Sequence, residues 1–354
     1  MNRQILFFTV ALTVICLRVL PVESAKILAI ETAACKSHWK YMSGMLQALV
    51  NGGHNVTVFT PYPDGDRENY QEVDVSQGYK KVLAKNINDL KEFYGDPFKT
   101  LSILSALARE RCDKVYDNWK LKEMLNNTYS DFDIVLTELF YSDCVSYVAN
   151  KFDLPLIYIT PLPLVSFMES SITGHISNPA LVSDIMVNYR IPRTFVQRLS
   201  NTIVYIISTF VIKYTELKLK YSEPKEYDLI QPVTPSLVFV NGHFISEAPK
   251  PLAANVINVG GIHLKAPKRL QKDILEFIEQ SHNGVVYFSF GSTVKMSSLP
   301  EHIKKAFLEA LAELPQRVLM KYEEELEDKP KNIMTKKWLP QRDILTHPNV
   351  KLFI

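Results

Sequence analysis

Short apolar runs separated by helical stretches recur along this chain, and that alternation limits the fold more than any other feature of it. Residues 27–30 read as a buried strand, 40–51 as a helix ended by Gly52-Gly53, and 56–59 as the next strand. A strand, a helix and a strand within about thirty-five residues form a βαβ unit, which requires a parallel sheet. The order returns with a strand over 134–136, a helix over 144–152 and a strand over 156–159, predicting a doubly wound α/β domain. Strands over 237–240, 285–290, 318–321 and 350–354, with helices over 273–280 and 302–314, predict a second α/β domain. Residues 232–235 then serve as the linker, giving domains over 25–231 and 236–354.

With 354 residues and 47% hydrophobic positions, the chain can bury two cores. A formal net charge of +2 creates no basic field, so nucleic acid is not expected as a partner. Four cysteines are too few for a disulfide-stapled scaffold. Cys35, Cys112 and Cys144 lack metal-ligand spacing and read as buried thiols or as one bridge, and no metal site is expected. Arg3, the apolar run 5–17, Pro21, Ser24 and Ala25 have the order of a secretory signal peptide over 1–24. The mature chain is then delivered to the lumen of the secretory pathway, where the sequons at Asn126 and Asn55 become glycosylation candidates. Asn126 sits in a polar loop, whereas Asn55 opens a strand and is expected to be less accessible. Residues 64–130 read as a polar, mainly helical excursion. The apolar stretch 203–212, about ten residues long, is too short to cross a bilayer and reads as core, or as a face lying against a membrane.

The last eighteen residues, KWLPQRDILTHPNVKLFI, resemble the opening of the signature segment of UDP-glycosyltransferases. In that family the Trp is a platform for the uracil of a nucleotide sugar, so the resemblance gives Trp338 that role and Gln341 a hydrogen bond to the nucleoside. Phe288-Ser289-Phe290-Gly291-Ser292-Thr293 resembles the family loop that meets the diphosphate. Gly291 lets the backbone approach closely, and Ser292 or Thr293 donates to phosphate oxygens. The likeness extends over nearly the whole mature chain. It implies an α/β fold of glycosyltransferase B type, with two Rossmann-like doubly wound domains facing across a cleft, the second incomplete in this sequence.

Ser37-His38-Trp39, the helix after it and Gly53-His54-Asn55-Val56-Thr57-Val58 resemble the first βαβ unit of the family, where the His is the general base. An alcohol is a poor nucleophile until its proton is being removed, and a His with a reference pKa of about 6.5 can take that proton near neutrality. Such a base is commonly held in one tautomer by a carboxylate. Aligning strand to strand puts Glu138 where the family has Asp, and Asp143 close by is the other candidate. Asp133 belongs to the opposite strand end, and His54 matches a structural turn.

The reaction implied is inverting transfer of a hexose, by likeness to invertebrate members from UDP-glucose, to a hydroxyl of a small lipophilic acceptor. The UDP-sugar is a co-substrate and no cofactor is implied. Family members associate with the endoplasmic reticulum membrane. Their diphosphate-binding helix and membrane helix correspond to sequence beyond Ile354, so the 354-residue chain by itself is expected to lack an anchor and to be inactive. Open sheet edges would favour homo-oligomers. A rival reading from another class is a non-catalytic lumenal protein that binds a lipophilic small molecule.

Overall fold

Strands buried on both faces need nearly continuous apolar sequence, and β1 (Lys26–Ile30) supplies it: Leu28, Ala29 and Ile30 are wholly buried. A computed structural model describes residues 24–354 apart from 78, 80–85, 90–94, 140–142, 230, 232, 246, 293 and 327. The expected signal peptide, apart from its last residue, and Thr293 therefore lie outside the described residues.

Strand β1 is central to a seven-stranded, all-parallel sheet of order β3-β2-β1-β4-β5-β6-β7. Its other strands are β2 (Asn55–Thr60), β3 (Tyr70–Asp74), β4 (Ile134–Glu138), β5 (Leu156–Thr160), β6 (Leu237–Val240) and β7 (Val256–Asn258). Helix α1 (Lys36–Asn51) crosses from β1 to β2 and buries Trp39, Tyr41, Met42, Met45 and Leu46. It starts earlier than the sequence pattern predicts, which places Ser37 and His38 inside its first turn. The second sheet has the order β10-β9-β8-β11, again all parallel, from β8 (Val285–Phe288), β9 (Arg317–Lys321), β10 (Ile333–Lys336) and β11 (Val350–Phe353).

One expected boundary is corrected. Sequence spacing places residues 237–240 in the second domain, but β6 pairs with β5 in register Ile157 opposite Leu237 and so belongs to the first sheet. A parallel neighbour is chosen by the crossover, which sequence spacing does not reveal. The 64–130 excursion is also less helical than expected, because it adds the edge strand β3 before α2 (Pro97–Tyr116) and α3 (Trp119–Leu125).

The segment 161–227 contains α5 (Ser166–Thr173) and the 28-residue α6 (Phe195–Ser222), which opens on a capping box between Thr194 and Gln197. The expectation that 203–212 is core fails here. Within α6 the buried residues are Asn201 and Ser208, while Ile203, Ile206, Ile207 and Phe210 face solvent. Among the described residues, α6 is the one helix long and apolar enough to span a membrane.

Two crosslinks fasten the helical excursion to the sheet. A disulfide joins Cys112 of α2 to Cys144 beyond β4, leaving Cys35 as a free thiol. On the same helix, Arg109 makes a bidentate pair with Asp228, Nη1 to Oδ1 at 2.7 Å and Nη2 to Oδ2 at 2.8 Å, and also donates to the carbonyl of Glu223. Burial raises the Asp228 carboxyl, but the Arg109 contact and the Lys225 N–H outweigh it and hold the group below its usual range. A depressed carboxylate stabilises the fold above its unfolded pKa of about 3.9, and that stability disappears as pH falls through the folded value. Asp228→Asn should therefore lower the unfolding free energy at pH 7 by about 3 kcal/mol, since it strands a buried guanidinium. The gap from wild type in urea titrations should close as the pH is lowered below 3.9, roughly the unfolded value.

Candidate active site

In an open parallel sheet, function collects beyond the carboxyl ends of the strands. His38 reaches this region from the first turn of α1, and Glu138 is the last residue of β4. The two meet with His38 Nδ1 2.5 Å from Glu138 Oε1. The Glu138 side chain is 2% exposed, and that of His38 is 14% exposed, so the ring edge is open while its partner is sealed in. With Glu138 as a carboxylate, which only accepts, Nδ1 carries the donated proton and Nε2 keeps its lone pair.

Of the two carboxylates left open by the sequence, the geometry selects Glu138. Asp143 instead faces a small cavity lined by Ser105, Arg109, Glu216 and Lys220, so its expected catalytic part is withdrawn. The reason is local. Glu138 still belongs to the strand and points where β4 ends, whereas Asp143 lies beyond it, next to the cystine at Cys144. Asp133 accepts from the Lys26 amide at 2.7 Å at the other end of the sheet, and His54 Nδ1 accepts from the Ala25 amide at 3.2 Å. Both are structural, as expected.

Burial depresses the His38 pKa, with the charge of Glu31 opposing the shift and that of Arg111 adding to it. The imidazole is therefore neutral at physiological pH. Burial raises both Glu138 and Glu31 well above the carboxylate range. Glu31 and Arg111 are not among the residues that the sequence motifs single out. Glu31 was detectable as an acid placed directly after an apolar strand, while Arg111, on α2, carries no comparable signal.

The second domain presents its own group. Gly291 follows β8 with φ of +72°, a conformation suited to glycine, and a Cβ there would meet open space, so the backbone is free for close approach. Its amide donates to Ser289 Oγ at 3.1 Å, and Ser292 is exposed beside it. Trp338 is 59% exposed, and Gln341 opens α9 (Gln341–Leu345) while accepting a hydrogen bond from the Tyr287 hydroxyl at 3.3 Å. Asp343 accepts from the Lys268 amide, and Ile344 is wholly buried, so both brace the turn that follows Trp338.

The two groups face each other. The ammonium groups of Lys36 and Lys40, on the helix that carries His38, each lie 5.8 Å from the centre of the Trp338 ring. A close contact between the halves helps to set this distance. A Cβ on Gly44 of α1 would come within 2.6 Å of the Cα and Cβ of His263, so only glycine allows the connecting segment to lie on that helix.

The family model described as UDP-glucoronosyl and UDP-glucosyl transferase matches residues 25–354. This chain belongs to the UDP-glycosyltransferase family. It is 36% identical over 349 residues to UDP-glycosyltransferase UGT5 of Dactylopius coccus, an alignment covering 94% of this chain and 65% of that relative. UDP-glucuronosyltransferase 2B15 of Homo sapiens is 29% identical over 359 residues, covering 90% and 64% of the two chains. The chain thus spans about two thirds of the length of the relatives it matches. Among solved structures, Medicago truncatula UGT71G1 complexed with UDP-glucose superposes with a TM-score of 0.54 at 16% identity, covering 94% of this chain and 76% of the other. Arabidopsis thaliana UGT89C1 complexed with UDP-L-rhamnose also gives 0.54, at 13% identity, covering 94% and 74%. The fold is therefore the glycosyltransferase B type expected from the sequence.

The tautomer is directly measurable. Nitrogen-15 NMR of His-labelled protein at neutral pH should find the His38 proton on Nδ1, and Glu138→Ala should shift the population toward the Nε2-protonated form that predominates in free imidazole side chains.

Proposed function

We propose that this protein transfers a hexose from a UDP-sugar, with glucose as the expected sugar, to a hydroxyl group of a small lipophilic acceptor. The observation that carries the reading is the buried carboxylate on Nδ1 of a neutral histidine, set on a helix whose lysines reach the Trp338 ring. Family membership supplies the reaction class, and the geometry suggests how the residues divide the work.

His38 Nε2 accepts the proton of the acceptor hydroxyl as the oxygen attacks the anomeric carbon. The new carbon–oxygen bond forms on the face opposite the departing UDP, which leaves with the electron pair of the broken bond, and the configuration inverts. The Glu138 carboxylate stabilises the imidazolium produced, as an acidic partner does in other acid–base pairs. Trp338 provides an aromatic face for uracil, Gln341 a hydrogen bond to the nucleoside, and Gly291 and Ser292 the approach to the diphosphate. Thr293 is proposed beside them on sequence grounds alone.

The disulfide between Cys112 and Cys144 supports placement in an oxidising compartment such as the endoplasmic reticulum lumen. Asn126, the exposed residue ending α3, is the preferred glycosylation site. Asn55 is exposed as well, contrary to its expected inaccessibility, although its amide donates to Ser24 Oγ.

Three measurements test the reading. Calorimetry with UDP should show Trp338→Ala weakening binding by about tenfold or more, the loss of roughly 1–3 kcal/mol of stacking. His38→Ala should leave that affinity intact while lowering kcat by about 10²–10⁴. Because the working base is neutral His38, kcat/KM should fall as pH drops through a value below about 6.5. UDP binding that ignores Trp338, or turnover that survives removal of His38, would refute the assignment.

A further inference from the structure

Glu31 is the first residue beyond β1 and is completely buried. Its Oε1 accepts hydrogen bonds from the amides of Ala33 at 3.0 Å and Ala34 at 3.2 Å. Its Oε2 is also buried but has no donor, and the same holds for Oε2 of Glu138. The sheet explains why two acids come together. Strands β1 and β4 are parallel neighbours with Ile30 opposite Thr137, so the next position in register sets Glu31 opposite Glu138. The register thus sets the two buried carboxyl groups side by side, each with one oxygen unpartnered.

Two ionised carboxylates cannot make such a contact, since both only accept and their charges repel. A single proton between them satisfies both orphaned oxygens. We propose that Glu31 and Glu138, brought side by side at the ends of β1 and β4, share one proton and form an acid–carboxylate dyad in which Glu31 is a positioning residue for His38.

The surroundings agree with one negative charge rather than two. The ionisable groups facing Glu31 are Glu138 from β4, Cys35 and His38 from the start of α1, Arg111 from α2, and the phenols of Tyr62 and Tyr79. Burial pushes the Cys35 thiol up to about 11 and the Tyr62 phenol up to about 12, and it raises Tyr79 too, so these three remain neutral. Arg111 is 8% exposed and supplies one positive charge. One shared proton therefore balances the cluster around a neutral imidazole. Two full carboxylates would hold His38 as imidazolium, unable to accept a proton. With the dyad, Glu31 donates to Glu138 while His38 is neutral, and the single carboxylate charge becomes available as the imidazolium forms.

This inference deepens the proposal that His38 is the base, but its test needs no turnover. Infrared spectra of the purified chain at neutral pH should contain a protonated-carboxyl stretch that shifts in D₂O. That band should be lost in Glu31→Gln and also in Glu138→Gln, so one folding failure leaves the other variant to decide. NMR titration of His38 gives a second readout. An amide at position 31 is neutral and still donates, so Glu31→Gln should leave the His38 pKa within about half a unit of wild type. The dyad is overturned if wild type has no such band, if the band persists in the Gln variants, or if His38 falls by about one unit or more in Glu31→Gln, which would mean an ionised Glu31 had been holding it up. UDP binding that ignores Trp338, alongside an intact band, would defeat the enzyme reading and leave the dyad standing.

Discussion

The pairing of β1 with β4 is the constraint on which the rest of the candidate site depends. Its register carries Asp133 to the amide of Lys26 at one end and Glu138 to the neighbourhood of Glu31 and His38 at the other. A slip by one residue would turn each side chain to the other face of the sheet. The acid at the end of β4 would then leave the histidine, and apolar residues such as Val135 and Leu136 would exchange their two separate cores. Apolar burial on both faces therefore fixes the register and, through it, the geometry of a polar site outside the core.

The helix after β1 links this site to the second half of the molecule. It packs Met42, Met45 and Leu46 on the sheet, holds His38 in its first turn, and offers Lys36 and Lys40 to the Trp338 ring. Gly44, on the same helix, takes the segment bearing His263 at a distance no other residue would permit. One element thus serves as crossover, base carrier and contact surface. Changes at Gly44 can reach the distance between His38 and Trp338 without touching either.

Helix α6 shows a different balance. Its apolar residues recur along one side, yet the side that packs inward is marked by Asn201, whose side chain bonds the Pro179 carbonyl and, at 2.8 Å, the Val182 carbonyl. Polar groups hold it down while Ile206, Phe210, Tyr214 and Leu217 stay uncovered. Composition misleads in such a case, because an apolar stripe reports only that a face avoids water, without saying whether protein covers it.

Much of the architecture was legible from pattern alone, since parallel strands buried on both faces produce apolar runs and crossovers produce helices between them. His38, Trp338, Gly291 and Gln341 were likewise legible, because each belongs to a local motif whose neighbours in sequence are its neighbours in space. Strand order was not. The assignment of β6 to the first sheet, the edge strand β3 and the exposure of α6 follow from long-range packing that no local window contains. The same limit explains the choice of Glu138 over Asp143 and the silence of the sequence on Glu31 and Arg111. Residues 31, 38, 111 and 138 lie far apart in the chain, and only the parallel register of β1 with β4 and the docking of α2 gather their charges into one buried volume, where desolvation makes each depend on the others.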